Sequence, residues 1–421
     1  MTKELGKRPF VRPLFIWVIG ICWAVYWPGS WMMCGVLFLL LLLLVIGGGR
    51  GANDYPLYAN RHSWGMAFGV LFLLLAIAYT SFRLRYLPSA DIPIWQVYCE
   101  AWQFKLLQTI DRLDLSDSDK SVLATLTLGY RQQMDWTVRQ RFTLSGAAHI
   151  LSVSGFHVAV VYVFVRHCLF FLSEKSRIRY LKYGILLVAI WLFSGMTGLA
   201  APAIRSALML SFYLLGRLLR RRTDSYNTWA ATAFCMLVYN PFYLFDIGFE
   251  LSFIAVLSIL FFYKRIRTWF VLRNPWIQTL WDWFAISLAA QIYTLPLCFY
   301  YFGSVSSVAL LTALPVTFLS TLLIPAALLW MLLSAMGWNW EMLASIVELL
   351  TSSFCLFIDR LGRIPAIAAY VPFTPLMLGF LYASLSFFTL YIKGRKARWL
   401  LFTLLFLLFF LGAAVIETLI Q

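Results

Sequence analysis

Residues 149–157 read His-Ile-Leu-Ser-Val-Ser-Gly-Phe-His, and residues 158–171 continue Val-Ala-Val-Val-Tyr-Val-Phe-Val-Arg-His-Cys-Leu-Phe-Phe. A long apolar run is thus headed by two imidazoles, two hydroxyls and a glycine. A helix facing lipid has no use for such groups. Charged types at membrane depth cost roughly 2.5–3.5 kcal/mol on insertion scales, so polar clusters there face a protein interior or a watery cavity. The stretch therefore marks both a membrane protein and a candidate site within it.

The rest of the chain agrees with the first half of that reading. Hydrophobic residues make up 62% of the 421 positions and charged residues 12%, more apolar surface than one soluble core of ordinary composition can hide. The formal charge of +16 tempts a nucleic-acid reading, but cytoplasmic Lys and Arg give any multi-span protein a positive excess. The seven cysteines are scattered without a C-x-x-C pair and read as small buried hydrophobes, with no disulfide framework or metal site indicated. Lys3, Lys7, Arg8 and Arg12 before an apolar run resemble a signal peptide, but no small-residue cleavage site follows, so the run is taken as the first span.

Working outward, residues 14–27 and 31–46 are apolar segments joined by Pro28-Gly29-Ser30, a helical hairpin. A Gly-rich linker over 47–62 leads to a third span at 64–82. The long polar region 83–141 contains Tyr98, Trp102, Leu106, Ile110 and Leu113 at helical spacing, opposed by Glu100, Gln103, Gln108 and Asp111, an amphipathic helix for the membrane surface or the cap of the bundle. A short helix is expected over 119–128, closed by Gly129, and another from Asp135 as N-cap. Further candidate spans are 148–171, 183–199, 202–219, 228–239, 247–263, 281–302, 305–320, 322–336, 375–392 and 399–416, with Pro296, Pro315 and Pro325 as points where helices break or kink. Residues 345–361 read as a second interfacial helix.

The expected fold is an all-α polytopic transmembrane bundle of about 11–13 spans with short interfacial amphipathic helices. Its divisions are 1–82 (N-terminal transmembrane helices), 83–145 (extracytoplasmic amphipathic region), 146–340 (channel core) and 341–421 (interfacial helix and C-terminal spans). With the N-terminus cytoplasmic, about 23 of the 34 Lys and Arg fall inside, as the positive-inside rule requires.

Besides His149, Ser152, Ser154, Gly155 and His157, other positions set polar groups where a span should be apolar. Arg205 follows the Gly198 to Pro202 break and either snorkels to the outer interface or faces an aqueous path. Asp246 and Glu250 stand at i and i+4 at the opening of a span, with Ser252 beside them, and serve as helix caps or as a polar face. Gln291 sits in mid-span, where a single amide usually makes an interhelical hydrogen bond. Tyr300-Tyr301-Phe302-Gly303 follows.

In order, the blocks Leu126 to Gly129, His149 to His157, Pro202-Ala-Ile-Arg205-Ser-Ala-Leu208, Asp246-Ile-Gly-Phe-Glu-Leu-Ser-Phe253 and Ala289-Ala-Gln-Ile-Tyr-Thr-Leu-Pro296 resemble the ComEC family of competence proteins. The similarity covers residues 126–325, the family's competence domain, and residues 8–82 look like its N-terminal helices. The resemblance implies an inner-membrane channel that imports single-stranded transforming DNA. Its implied partners are an extracytoplasmic DNA receptor and cytosolic helicase or single-strand-binding proteins; whether a separate nuclease joins them is left open. Family members often carry an OB-like extracytoplasmic domain and a C-terminal metallo-β-lactamase-like domain, and neither is expected in this chain.

The residues bound the chemistry. The four histidines, His62, His149, His157 and His167, do not make a two-metal hydrolytic cluster, and there is no G-x-x-x-x-G-K-[ST] loop for a nucleotide. No cofactor, metal or catalytic residue is expected. Each phosphate crossing an inside-negative potential faces roughly 2.3 kcal/mol per 100 mV, so import through a passive pore needs a motor or a trapping protein on the far side. His149 and His157 lie about 80° and about 12 Å apart on an ideal helix, too far to share a metal unless the helix breaks at Gly155. Lining a pore, hydrogen-bonded helix packing and a Ser–His hydrolase within the membrane are the readings open for this stretch. Transport of another anionic polymer or a small solute is the alternative to DNA. Arg131, Arg139, Arg141 and Arg205 with Trp136 and Phe142 stand near the expected outer mouth, but Asp91, Glu100, Asp111, Asp114, Asp117, Asp119 and Asp135 argue against a basic funnel.

Overall fold

The computed structural model describes residues 8–27, 32, 34–39, 42, 61–86, 94–151, 153–173, 177–220, 223–303, 309–363 and 373–420. The expected turn at Pro28-Gly29-Ser30, much of the 31–46 run, the linker up to residue 60 and Ser152 lie outside them. Among the described residues every regular element is helical. In chain order these are α1 (Val11–Tyr26), α2 (Arg61–Tyr86), α3 (Ile94–Ile110), α4 (Asp117–Leu128), α5 (Trp136–Leu144), a 3-10 turn at Ala148–Leu151, α6 (Gly155–Cys168), α7 (Ile178–Met196), α8 (Ala201–Leu218), α9 (Ser225–Tyr239), a 3-10 turn at Pro241–Phe245, α10 (Ile247–Arg267), α11 (Pro275–Phe302), α12 (Ala309–Ala335), α13 (Glu341–Gly362), α14 (Pro375–Gly394) and α15 (Ala397–Ile420).

Eight described helices, α2, α7 and α10 to α15, are long and apolar enough to cross a membrane, and α1 and α6 are apolar but shorter. The chain is therefore an all-α polytopic membrane protein. The runs expected at 305–320 and 322–336 form one helix, α12, which continues through Pro315 and Pro325, as α11 continues through Pro296. A proline removes one N–H and crowds the preceding turn. Packing overrides that cost here, since Val316, Leu323 and Ala327 beside the α12 prolines are buried in the main core. Kinks in such helices are tolerated where neighbours and local adjustments satisfy the freed groups.

The helices fall into two compact units, Met1–Ile94 with Leu208–Phe249, and Trp95–Ala207 with Glu250–Gln421. In the first unit, α1 and α2 meet at Gly20, where an added Cβ would lie 2.5 Å from the Ala76 Cβ and 3.2 Å from the Leu73 carbonyl. Small residues let membrane helices approach closely enough for dispersion to hold them. Trp17 packs against Phe72, Tyr79 and Phe234, and its indole N–H donates to the Leu237 carbonyl of α9 at 3.3 Å. At the start of α9, Asp224 accepts from the Asn227 N–H and pairs with Arg8 at 3.2 Å. Arg8 before α1 is thus tied to the start of α9.

In the second unit the polar region forms the centre of the main core. Ser116 caps α4 through the Asp119 N–H at 3.2 Å, and Gly129 closes it with φ +72°. Residues 121–128 are all buried, the pattern of a helix enclosed on every side. Its Thr125 and Thr127 hydroxyls donate to the Ser121 and Leu123 carbonyls one turn back, so neither of them is left orphaned in the core. Of the stripe expected on α3, Leu106, Ile110 and Leu113 join this core, whereas Tyr98 and Trp102 are 67% and 59% exposed. Helical spacing identifies a face, but only packing decides how much of it is covered.

Helix α13 runs along this region from end to end. The Asp114 N–H donates to Glu348 at 2.8 Å, Phe354 meets Phe142 at 6.0 Å between centroids, and Asp359 pairs with Arg141 at 3.0 Å. Its opposite face exposes Met342, Ile346, Leu349 and Leu356. Helices α14 and α15 zip together through Phe387, which stacks on Trp399, Phe402 and Phe406.

Candidate functional site

The polar stretch forms a break between two helices. The 3-10 turn Ala148–Leu151 ends, the chain becomes extended at Ser154 (φ −114°, ψ 174°), and α6 starts at Gly155. The break therefore precedes Gly155, where the glycine had been expected to loosen the helix itself. His149 lies in the 3-10 turn, while its side chain, like Ser152, is outside the described residues.

Ser154 and His157 form a capping box at the start of α6. The Ser154 N–H donates to His157 Nδ1 at 3.2 Å, and Ser154 Oγ lies 3.0 Å from the same nitrogen. A backbone N–H can only donate, so Nδ1 is the acceptor and the ring proton is assigned to Nε2. His157 fills the role that Glu or Gln takes in the usual S/T-x-x-E/Q box, and it is 0% exposed.

Gly155 serves close approach. A Cβ there would fall 2.8 Å from Ser206 Oγ on α8, and that hydroxyl is already turned to the Pro202 carbonyl at 3.0 Å. Arg205, the preceding residue on α8, is only 2% exposed, so it does not snorkel into open solvent. A third block arrives from α4: a Cβ on Gly129 would fall 2.8 Å from Val153, and Arg131 Nε donates to the Leu151 carbonyl at 3.0 Å. Gln103 of α3 steadies the arrangement, donating to the Leu128 carbonyl at 2.7 Å and packing against Gly198, whose φ is +66°. The Leu126 to Gly129, His149 to His157 and Pro202 to Leu208 blocks thus meet at one crossing.

The remaining residues divide among other roles. Glu250 accepts from the Tyr301 hydroxyl at 2.9 Å, joining α10 to α11. Nearby on α11 and α14, Tyr293 and Tyr382 stack at 6.2 Å, and the Tyr382 hydroxyl donates to the Tyr293 carbonyl at 2.9 Å. Ser252 is half-buried on α10. Gln291 hydrogen-bonds Ser287 on its own helix at 3.4 Å, in place of the interhelical bond expected for it. Asp246, in the other unit, precedes α10 and accepts from the Phe249 N–H at 2.7 Å. It is a cap, and it does not share a helical face with Glu250. Among the described residues no three His, Cys, Asp or Glu side chains gather as a metal set.

Ser206 and Tyr382 were not singled out from the sequence, and Gln103 was named only on the polar face of its helix. Ser206 had a signal, a small residue inside a quoted block. Tyr382 had none, because it acquires its partner only when separate helices pack.

The fold and this crossing define a class: a multi-pass α-helical membrane protein with a hydroxyl- and imidazole-bearing helix break set against a buried arginine. Residues 126–396 match the family described as Competence protein, and the chain belongs to that family. Relatives include ComE operon protein 3 of Bacillus subtilis (strain 168), 28% identical over 259 residues covering 59% of this chain and 30% of the relative. Another is Recombination protein 2 of Haemophilus influenzae, 22% identical over 263 residues covering 60% of this chain and 33% of the relative. The chain thus aligns with about a third of the length of each. No solved structure matches it.

Proposed function

We propose that the chain is an inner-membrane, multi-pass component that imports single-stranded DNA during natural competence, with its N-terminus in the cytoplasm. The observation that carries this reading is the family match over 126–396, which takes in the whole crossing of Gly129, Val153, Gly155 and Ser206 together with the Glu250–Tyr301 pair. In this reading Arg205 and Ser154 border the strand's route, and Gly155 holds α6 against α8 so that the route keeps its shape. A guanidinium suits a passing phosphodiester, because Arg presents a planar fork to phosphate oxygens. Directionality comes from partners: a receptor outside delivers DNA, and a helicase or single-strand-binding protein inside traps it.

The test compares uptake of radiolabelled single-stranded DNA by deletion cells, complemented cells and cells carrying Arg205→Gln. Complementation restores uptake, and Arg205→Gln lowers it at least tenfold while the protein still reaches the membrane. Equal uptake by deletion and complemented cells refutes the reading.

A further inference from the structure

The acidic residues that argued against a basic funnel are only partly set apart from the basic ones. Asp135 precedes α5 and Asp119 reaches Cys355, but Asp114 bonds Glu348 and Arg112 bonds Ser334 toward the start of α13. The arginines stand at its other end: Arg141 and Arg363 flank Asp359 at 3.0 and 2.6 Å, Arg360 is exposed beside them, and Arg131 and Arg139 lie on the far side of α5. That rim carries five arginines against Asp119, Asp135 and Asp359, a net charge of +2 from 5 − 3.

Helix α5 divides its residues between core and solvent. Val138 and Phe142 are buried, whereas Trp136, Arg139, Gln140 and Thr143, at i, i+3, i+4 and i+7, are exposed on one face, with Trp136 72% exposed. Arg131 stands beside this face, since partial burial and then the Arg139 guanidinium lower its pKa. Two arginines near one face repel each other and so are not explained by stability, and the Trp136 indole on that face is left uncovered. They suit a ligand that brings phosphates and flat bases, as single strands do. The same Arg131 donates to the Leu151 carbonyl, making the face continuous with the crossing.

We infer that Arg131, Trp136, Arg139 and Gln140 form a docking site for single-stranded nucleic acid on the approach to the 149–157 break, the two guanidinium groups holding phosphates and Trp136 stacking a base. This rests on the uptake reading and adds the surface that receives the strand. The experiment titrates labelled oligothymidylate onto the full chain in nanodiscs over a range of salt. Loss of two phosphate contacts in Arg131→Gln/Arg139→Gln flattens the slope of log affinity against log salt by about 1.4, at about 0.7 per contact for single strands. Arg139→Gln alone, whose side chain is exposed, flattens it by about 0.7 without disturbing the Arg131–Leu151 bond. Trp136→Ala weakens binding roughly 5- to 150-fold with the slope unchanged.

Unchanged slope and affinity in Arg139→Gln and Trp136→Ala overturn the site. So does loss of affinity for phosphatidylglycerol vesicles in these variants with oligothymidylate binding intact, which would make the face a lipid contact. In cells, restored uptake by the wild-type gene with wild-type binding by the variants removes the docking site alone. Failure of the wild-type gene to restore uptake removes the reading beneath it.

Discussion

His157 offers the sharpest test of how the polar break is built. Replacing it with Ala removes the Nδ1 acceptor of the Ser154 N–H and the partner of Ser154 Oγ, and leaves a gap where the ring was fully buried. Loss of a helix cap costs roughly 0.5–2 kcal/mol, and leaving a buried donor unsatisfied costs about 1–3 kcal/mol. These overlap because the orphaned N–H is part of the cap, so His157→Ala should destabilise by about 2–3 kcal/mol. Gln at the same position can accept from the N-cap N–H as in the common capping box, so His157→Gln should lose under about 1 kcal/mol. The assay is denaturant unfolding of the purified protein in micelles, followed by DNA uptake in cells. A cycle of Ser154→Ala, His157→Ala and the double variant should give a coupling of about 1 kcal/mol, within the usual range for residues in contact. Uptake should follow stability, lost with Ala and kept with Gln. Equal destabilisation by Gln and Ala, or additivity in the cycle, refutes the capping role. A stable His157→Gln protein without uptake would return the imidazole to the route itself.

Gly155→Ala should lower uptake even though Ala favours a helix, because its Cβ would meet Ser206 Oγ at 2.8 Å and turn that hydroxyl off the Pro202 carbonyl; Ser206→Gly should restore it, and no rescue would disprove the steric argument. Tyr301→Phe removes the bond to Glu250 and should lower stability by about 1–3 kcal/mol, as for a hydrogen bond to a charged group; added to Glu250→Gln it should cost far less, measured by the same unfolding assay. Helix α13 meets the length and apolarity of a span, yet both its ends are tied to the 111–144 region. Cysteines placed at Ser345 and Arg363 should therefore react with an impermeant thiol reagent from the same side of the membrane, and labelling from opposite sides would establish a crossing.

The sequence by itself determined the membrane class, the helical content and the blocks that matter, because each rests on local chemistry. Twenty apolar residues have one stable form in lipid, Gly129 closes α4 through its own positive φ, and a polar cluster at the head of a span is expensive wherever it lies. The division of the polar residues was another matter. Ser154 and His157 carried several readings in the sequence, and three residues of backbone geometry join them in a cap; of the two readings for Asp246 the fold selects a cap, while Glu250 acquires Tyr301 from a position 51 residues away. The prolines of α12 read as breaks, and burial in a core assembled from four helices kept that helix whole. Charge showed the difference as well: in the sequence, acidic and basic residues mix over 111–141, and only packing along α13 sets Asp114 near Glu348, Asp119 beside Cys355 and Arg141 against Asp359. Composition fixes how many charges there are, but the field a ligand meets depends on which of them the fold brings together.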